Sequence, residues 1–350
     1  MDTAGGASAG LEPSQPGRAA AAAAPVFDAA TEAMLEELDA ASDEHASALR
    51  PANTVRGYAD DWRVWTAYTA AKTLPVTAAR RGTLRGFVHW LWTEQAAAPA
   101  TVNRRLAGVV VTLRRQHRVL VDPDDVAAAR ELLKDYIREA AAAKAPPRGR
   151  GQAPVLTLAD LRAISAACPD TLAGTRDRAL ALLDFAVAGR RAEVAGLLVL
   201  DVADDPNGLV VDIRASKTSP RTVAVPYGSN PATCPVRAWR AWRDAAGLAA
   251  DPEGPAFRRI DRHGRLLAAG LSPAAVGDVL TRAADRADVK AVTGHSARAG
   301  LATEARRAGK DRKAIAAITG HRENSASLNG YLRRSDRWDE AENALIGIGL

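Results

Sequence analysis

Two short stretches near the C-terminal end carry residue types suited to phosphate chemistry. The first is Gly294-His295-Ser296-Ala297-Arg298, and the second is Gly320-His321 followed by Tyr331-Leu332-Arg333-Arg334. A guanidinium fork matches two phosphate oxygens at once, and His295, three residues before Arg298, falls on the same side of a helical turn. A hydroxyl nucleophile among arginines and histidines points to attack on a phosphate. H-x-x-R alone is a weak motif in an arginine-rich chain, where a lone histidine is most often a packed core residue.

Elements that would position these residues lie upstream. Arg190-Arg191-Ala192-Glu193 ends a helix running from about Thr175, whose apolar face is Leu182, Leu183, Phe185 and Ala186. Three β-type runs follow, Leu198 to Val202, Leu209 to Arg214 and Thr222 to Val225, with Asp205-Pro206-Asn207-Gly208 as a turn, which predicts an antiparallel meander. Lys217, in Ser216-Lys217-Thr218-Ser219-Pro220, sits between the second and third runs, where a turn can hold an ammonium over a ligand. Helical patterns resume at Pro235.

The first half reads as helices. Residues 1–25 form a low-complexity tail, and Phe27, Met34, Leu38 and Ala41 recur at helical spacing among acids. Four stripes follow: Val55, Tyr58, Trp62 and Trp65; Leu84, Phe87, Val88 and Leu91; Leu106, Val109, Val110 and Leu113; then Leu132, Leu133 and Ile137 behind the cap at Asp122. Short connections make these a small bundle. Its third helix concentrates Arg104, Arg105, Arg114, Arg115, His117 and Arg118, a charge run of a single sign that reads as a DNA-facing surface. Residues 143–154, rich in Pro, Gly and basic residues without periodicity, mark a linker. The expected organisation is an acidic, partly disordered tail (1–50), a helical DNA-binding domain (51–142), the linker, and a second domain (155–350).

Charge agrees with a polyanionic partner. The 350 residues carry +6, yet residues 1–50 hold nine acids against Arg18 and Arg50, a net −7 that leaves +13 on the remainder. Such a body seeks nucleic acid or an anionic membrane surface. Only Cys168 and Cys234 are present, far apart in sequence, so neither a disulfide framework nor a cysteine metal site is expected and a cytoplasmic setting fits. The N-terminus has no signal-peptide pattern, and no apolar run reaches the roughly 18 residues of a membrane span.

Taken in order, Arg190-x-x-Glu193, Lys217 in a hairpin, His295-x-x-Arg298, Gly320-His321 and Tyr331 resemble the tyrosine recombinase or phage integrase family. The likeness spans roughly residues 50–350, since the four-helix module also resembles that family's core-binding domain. It implies a mainly α protein with a small antiparallel β-sheet: an N-terminal helical bundle plus a mixed α+β catalytic domain. Two positions depart from the pattern. Gly189 stands where a large apolar residue is usual, and the interval from His321 to Tyr331 is one residue longer. Tyr227, the other tyrosine of the second domain, sits in Val-Pro-Tyr-Gly after a strand, a poor setting for a nucleophile.

The resemblance implies roles that chemistry explains. A phenol of pKa about 10 is ionised only about one part in a thousand at pH 7, a handicap near 4 kcal/mol, so Tyr331 needs a base, and His295 is the base or relay. Arg190 and Arg298 clamp the nonbridging oxygens, His321 adds a donor, Glu193 orients the cluster, and Lys217 protonates the leaving 5′-oxygen. The product is a 3′-phosphotyrosine. Because the bond energy is kept, no metal, cofactor or ATP is expected.

The expected partners are double-stranded DNA and three further copies, a homotetramer joining two DNA sites at the nucleoid, with accessory proteins unspecified. The apolar stretch from Trp338 to Leu350 is expected to dock on a neighbouring protomer. An integrase of a mobile element is the leading role. The alternatives are a Xer-like resolvase, a type IB topoisomerase and a non-catalytic DNA-binding protein.

Overall fold

The computed structural model describes residues 27–149, 151, 153–214, 216 and 219–336. Ala215, Lys217, Thr218, the tail before residue 27 and the stretch from residue 337 lie outside the described residues, and with them the hairpin lysine and the C-terminal docking segment. The chain divides into two compact units, Met1–Gly149 and Arg150–Leu350.

The first unit is helical: α1 (Ala29–Ala48), α2 (Ala52–Ala71), α3 (Arg81–Thr93), α4 (Pro99–Gln116) and α5 (Pro123–Ala142). Proline opens α4 and α5 where its missing N–H costs nothing, and Asp122 caps α5 by accepting from the Asp124 N–H at 2.8 Å. Leu84, Phe87, Val88 and Leu91 of α3 meet Leu106, Val109 and Leu113 of α4 in one core, as their spacing predicts. Two stripes need correction. On α2 the buried face is Trp65 and Tyr68, with Val55 48% exposed, and on α5 it is Val126, Ala129 and Leu133, with Ile137 40% exposed. The linker is partly tied down, because the Arg148 guanidinium lies 4.0 Å over the Trp92 ring.

Asp61 of α2 is almost wholly buried, and Arg104 Nη1 lies 2.6 and 2.7 Å from its two carboxylate oxygens. This ion pair clamps α2 to α4 and takes Arg104 out of the unpaired basic run. Gly108, one turn along α4, makes the approach possible, since a Cβ there would stand 2.5 Å from Asp61 Oδ2.

The second unit is mixed. α6 (Leu158–Ala167) starts on a reciprocal capping box between Thr157 and Asp160. α7 (Leu172–Ala186) is buried along most of its length, and α8 (Arg191–Ala195) is a single short helix. β1 (Val202–Asp205), β2 (Gly208–Ile213) and β3 (Arg221–Pro226) form the antiparallel meander, with Val211 opposite Val202 and Val223. The first strand begins later than its apolar run, because Val199–Asp201 is a 3₁₀ turn whose Asp201 carboxylate accepts the Leu198 N–H. A second sheet, β4 (Arg258–Ile260) with β5 (Leu266–Gly270), has no counterpart among the β-type runs of the sequence. α9 (Pro235–Ala245), α10 (Pro273–Arg286), α11 (Ser296–Arg307), α12 (Arg312–Thr319) and α13 (Ala326–Asp336) complete it. The architecture is mainly helical with small antiparallel sheets.

A carboxyl lies inside the α7 core. Asp184 is 2% exposed, and among the described residues its Oδ1 has no hydrogen-bond partner. Burial first, then the neighbouring Glu193 charge, push its pKa up to about 8, against the attraction of Arg298. Gly189 makes the space, since a Cβ there would stand 2.6 Å from Asp184 Oδ1 and 2.5 Å from Val194 Cγ2. Gly189 thus leaves the space that the buried Asp184 carboxyl fills.

Two outcomes follow for stability. Gly108→Ala must push Asp61 away from Arg104, and a urea midpoint should record a loss of about 2 kcal/mol. Asp184→Asn should stabilise the chain. A carboxyl raised from 3.8 to about 8 contributes full stability only below pH 4 and loses it as pH rises to about 8, so the advantage of the non-titrating Asn grows across that window in thermal melts.

Candidate active site

Arg190 does not end the preceding helix. α7 stops at Ala186, Ala188 takes a positive φ of 46°, and Arg190 occupies the N-cap of α8. Glu193, at the third helical position, accepts the Arg190 backbone N–H at 3.0 Å and its guanidinium, so the R-x-x-E spacing is that of a helix cap. The Glu193 carboxylate is 3% exposed and takes two more donors, Ser216 Oγ at 2.9 Å and Arg221 Nη2 at 2.9 Å. Burial acts to raise its pKa, and the Arg221 and Arg190 hydrogen bonds outweigh this and hold it at about 2.

Arg221 is a site residue that the sequence motifs do not single out. It opens β3 on the inward face that Val223 and Val225 share, so strand alternation places a guanidinium inside the fold. Its Nε donates to the Ile318 carbonyl at 2.9 Å and its Nη2 to the Val187 carbonyl at 3.3 Å.

Arg298, on α11, is 2% exposed and works in parallel. Its Nη1 donates to the Ala188 carbonyl at 2.7 Å and its Nη2 to the Thr319 carbonyl. Val187 and Ala188 follow α7, while Ile318 and Thr319 end α12. Two buried arginines thus satisfy the orphan carbonyls at two helix C-termini, where partial negative charge collects. Burial, then repulsion from Arg190, lower the Arg298 pKa to about 10.

His321 follows Gly320, the left-handed cap of α12 at φ 59°, a conformation glycine adopts without Cβ strain. Its Nδ1 is 2.9 Å from Thr319 Oγ1, whose proton goes to the Ile315 carbonyl, so the imidazole Nδ1–H donates to the hydroxyl. The other nitrogen, Nε2, then faces Arg298 Nη2 at 3.4 Å. Burial first, then Arg298, Arg190 and Arg221, push the His321 pKa down to about 4.

Tyr331 lies on α13, which Leu328 and Leu332 anchor against Ala302, Ile315 and Ala316. The Tyr331 carbonyl accepts from Thr303 Oγ1 at 3.3 Å, and Arg306 Nε meets Asp336 at 2.7 Å. In this register the half-buried phenol ring sits 5.9 Å from the His321 ring. Tyr331 also lines a cavity of about 540 Å³ with His295, Arg191, Thr293 and Ser327. His295 occupies the N-cap of α11, and desolvation first, then Arg191, Arg298 and Arg190, lower its pKa.

Arg190, Glu193, His295, Arg298, His321 and Tyr331 are thus brought together in the second unit, and Lys217 lies outside the described residues. Arg104, Arg105, Arg114, Arg115 and Arg118 belong to the first unit. Arg114, Arg115 and Arg118 are exposed there, and His117 stacks on Trp62 at 4.6 Å. Among the described residues no group of three or more His, Cys, Asp or Glu side chains forms a metal site, and no helix is long and apolar enough to cross a membrane.

Comparison with known proteins points the same way. The model of the phage integrase family matches residues 154–337. An integrase/recombinase XerD homolog of Selenomonas ruminantium is 30% identical over 288 residues, covering 77% of this chain and 78% of that protein. Tyrosine recombinase XerC 2 of Ralstonia nicotianae is 30% identical over 266 residues, covering 69% and 72%. In fold, the chain is similar to the Tn1549 transposon integrase in complex with transposon right end DNA, at TM-score 0.57 and 14% identity over 83% of this chain and 92% of that one. It is also similar to lambda integrase bound as a dimer to a core site, at TM-score 0.55 and 14% identity over 87% and 96%. The chain belongs to the phage integrase family, the tyrosine-type site-specific recombinases.

Proposed function

We propose that this chain cuts and rejoins double-stranded DNA through Tyr331, as the integrase of a mobile element. The observation that carries the assignment is the His321 ring 5.9 Å from the Tyr331 ring, with Arg298 against His321 and His295 lining the same cavity as Tyr331. Arg190 and Arg298 take the nonbridging oxygens of a phosphodiester. Tyr331 Oη attacks phosphorus, its proton passes to His295, and the bond to the 5′-oxygen breaks. Lys217 gives that oxygen a proton, leaving a 3′-phosphotyrosine and a 5′-hydroxyl. Rejoining runs the same steps backwards from a new 5′-hydroxyl.

Both histidine pKa values are depressed, so the free site holds neutral imidazoles at pH 7. Neutral His295 can accept a proton. A bound phosphodiester adds negative charge beside His321 and favours its protonated form, in which Nε2 also donates. Residues 51–142 act as the core-binding domain, with Arg105, Arg114, Arg115 and Arg118 on phosphates. Four copies pair two sites at the nucleoid, in the cytoplasm. The XerD and XerC relatives favour a second reading, a Xer-like resolvase, which shares all the chemistry and differs in the DNA it serves.

A pool of nicked suicide duplexes with randomised core sequence tests the assignment. The native chain should yield a covalent adduct, and Tyr331→Phe should yield none; an adduct that persists in this variant refutes the nucleophile. Arg190→Lys keeps the ion pair with Glu193 but loses the fork, so single-turnover adduct formation should slow roughly a hundredfold. Replacing Arg114 and Arg115 by Ala should flatten the log–log salt dependence of DNA binding by roughly 0.9 for each phosphate the variant no longer neutralises.

A further inference from the structure

One cation in the Tyr331 cavity has no part in the cleavage chemistry proposed for the other residues. Arg191, the first residue of α8, lines the cavity beside His295 and Tyr331. Its stem passes two glycines from separate elements. A Cβ on Gly294, in the loop before α11, would stand 2.2 Å from Arg191 Cδ, and one on Gly277 of α10 would stand 3.0 Å from the same atom. Two glycine backbones therefore leave room along the stem of a residue that is otherwise exposed. The guanidiniums of Arg190, Arg221 and Arg298 are engaged with Glu193 or with helix-end carbonyls, whereas Arg191 makes no ion pair among the described residues.

We infer that Arg191 is a positioning residue of the cleavage step, a solvent-facing cation on the wall of the cavity that Tyr331 and His295 share. The inference rests on the assignment of Tyr331 as nucleophile and His295 as proton acceptor. The charged groups facing His295 are Arg190 at the α8 cap, Arg191 on α8 and Arg298 on α11, while Tyr331 faces it from α13. Arg190 and Arg298 are committed to the phosphate, whose negative charge offsets theirs once DNA is bound. Arg191 stays unneutralised, so it remains as the charge that disfavours a second positive charge on the imidazole. The His295 lone pair is thereby kept free to take the phenol proton. After the transfer the same repulsion drives that proton on to solvent, and the cation attracts the phenoxide oxygen as its charge develops.

The test has two readouts in the full chain. Histidine ring resonances of the DNA-free protein, with His295 identified by its loss in His295→Gln, give the titration directly. The acidic limb of the adduct rate, measured on the randomised suicide duplexes, gives the functional counterpart. Arg191→Gln removes a charge that opposes protonation, so both the His295 titration and the acidic limb should move to higher pH by about half a pH unit. On the acidic limb, well below the His295 pKa, the adduct rate should fall about threefold as a result. Arg191→Lys should keep the native titration and limb.

An unchanged His295 titration in Arg191→Gln would overturn the inference, as would a limb that moves equally in Arg191→Lys. Absence of any adduct from the native chain would count against the nucleophile assignment instead, and the resonance titration would still decide the role of Arg191.

Discussion

The Glu193 carboxylate is the point from which the site is built. Three guanidiniums, of Arg190, Arg221 and Arg298, are drawn into one buried neighbourhood, and Glu193 is the ionised acid among them. Two of the three bond it directly. Without it their mutual repulsion and desolvation would stand uncompensated, a penalty of several kcal/mol per buried charge. Asp184 does not share this task, because burial beside Glu193 favours its protonated form at neutral pH. The surplus of positive charge that remains lowers the pKa of Arg298, His295 and His321, and it leaves a site that gains most from a bound anion.

Helix ends supply the remaining geometry. Arg221 and Arg298 each reach one carbonyl after α7 and one carbonyl at the end of α12, so two helices are held at a fixed separation by the groups the site uses. His321 follows directly from the end of α12, and its orientation is set through Thr319. Tyr331 is placed by different means, the apolar anchors Leu328 and Leu332. The phenol therefore belongs to a satellite cluster that packs separately from the rigid arginine scaffold. The stem of Arg191 runs past Gly277 and Gly294, and the residue is exposed on the wall of the cavity.

Legibility in the sequence follows the range of the interactions. H-x-x-R and R-x-x-E can be read because the two residues of each lie within one helical turn, and residues three or four apart share a face. The R-x-x-E motif sits at a helix start rather than the expected helix end, since an arginine at either place looks alike without the positive-φ turn at Ala188. Arg221 is recoverable from strand alternation with Val223 and Val225, but a charged residue opening a strand ordinarily signals an exposed edge. The pairing of Asp184 with Gly189 is illegible, because what the glycine lacks is defined only by the side chain that fills its place. The corrected stripes of α2 and α5 share a cause: aromatic and aliphatic residues lie on more than one face of each helix, and the covering partner decides which face is core. The short sheet of β4 and β5 escapes prediction because its strands carry arginine and alanine rather than an alternating apolar pattern.

The most direct test is the chemical identity of the protein–DNA linkage. Proteolysis of the adduct trapped on nicked suicide duplexes, followed by peptide mass spectrometry, should place a nucleotide 3′-phosphate on the peptide containing Tyr331, with the released strand ending in a 5′-hydroxyl. A nucleotide on Tyr227, or a linkage through a 5′-phosphate, would contradict the account.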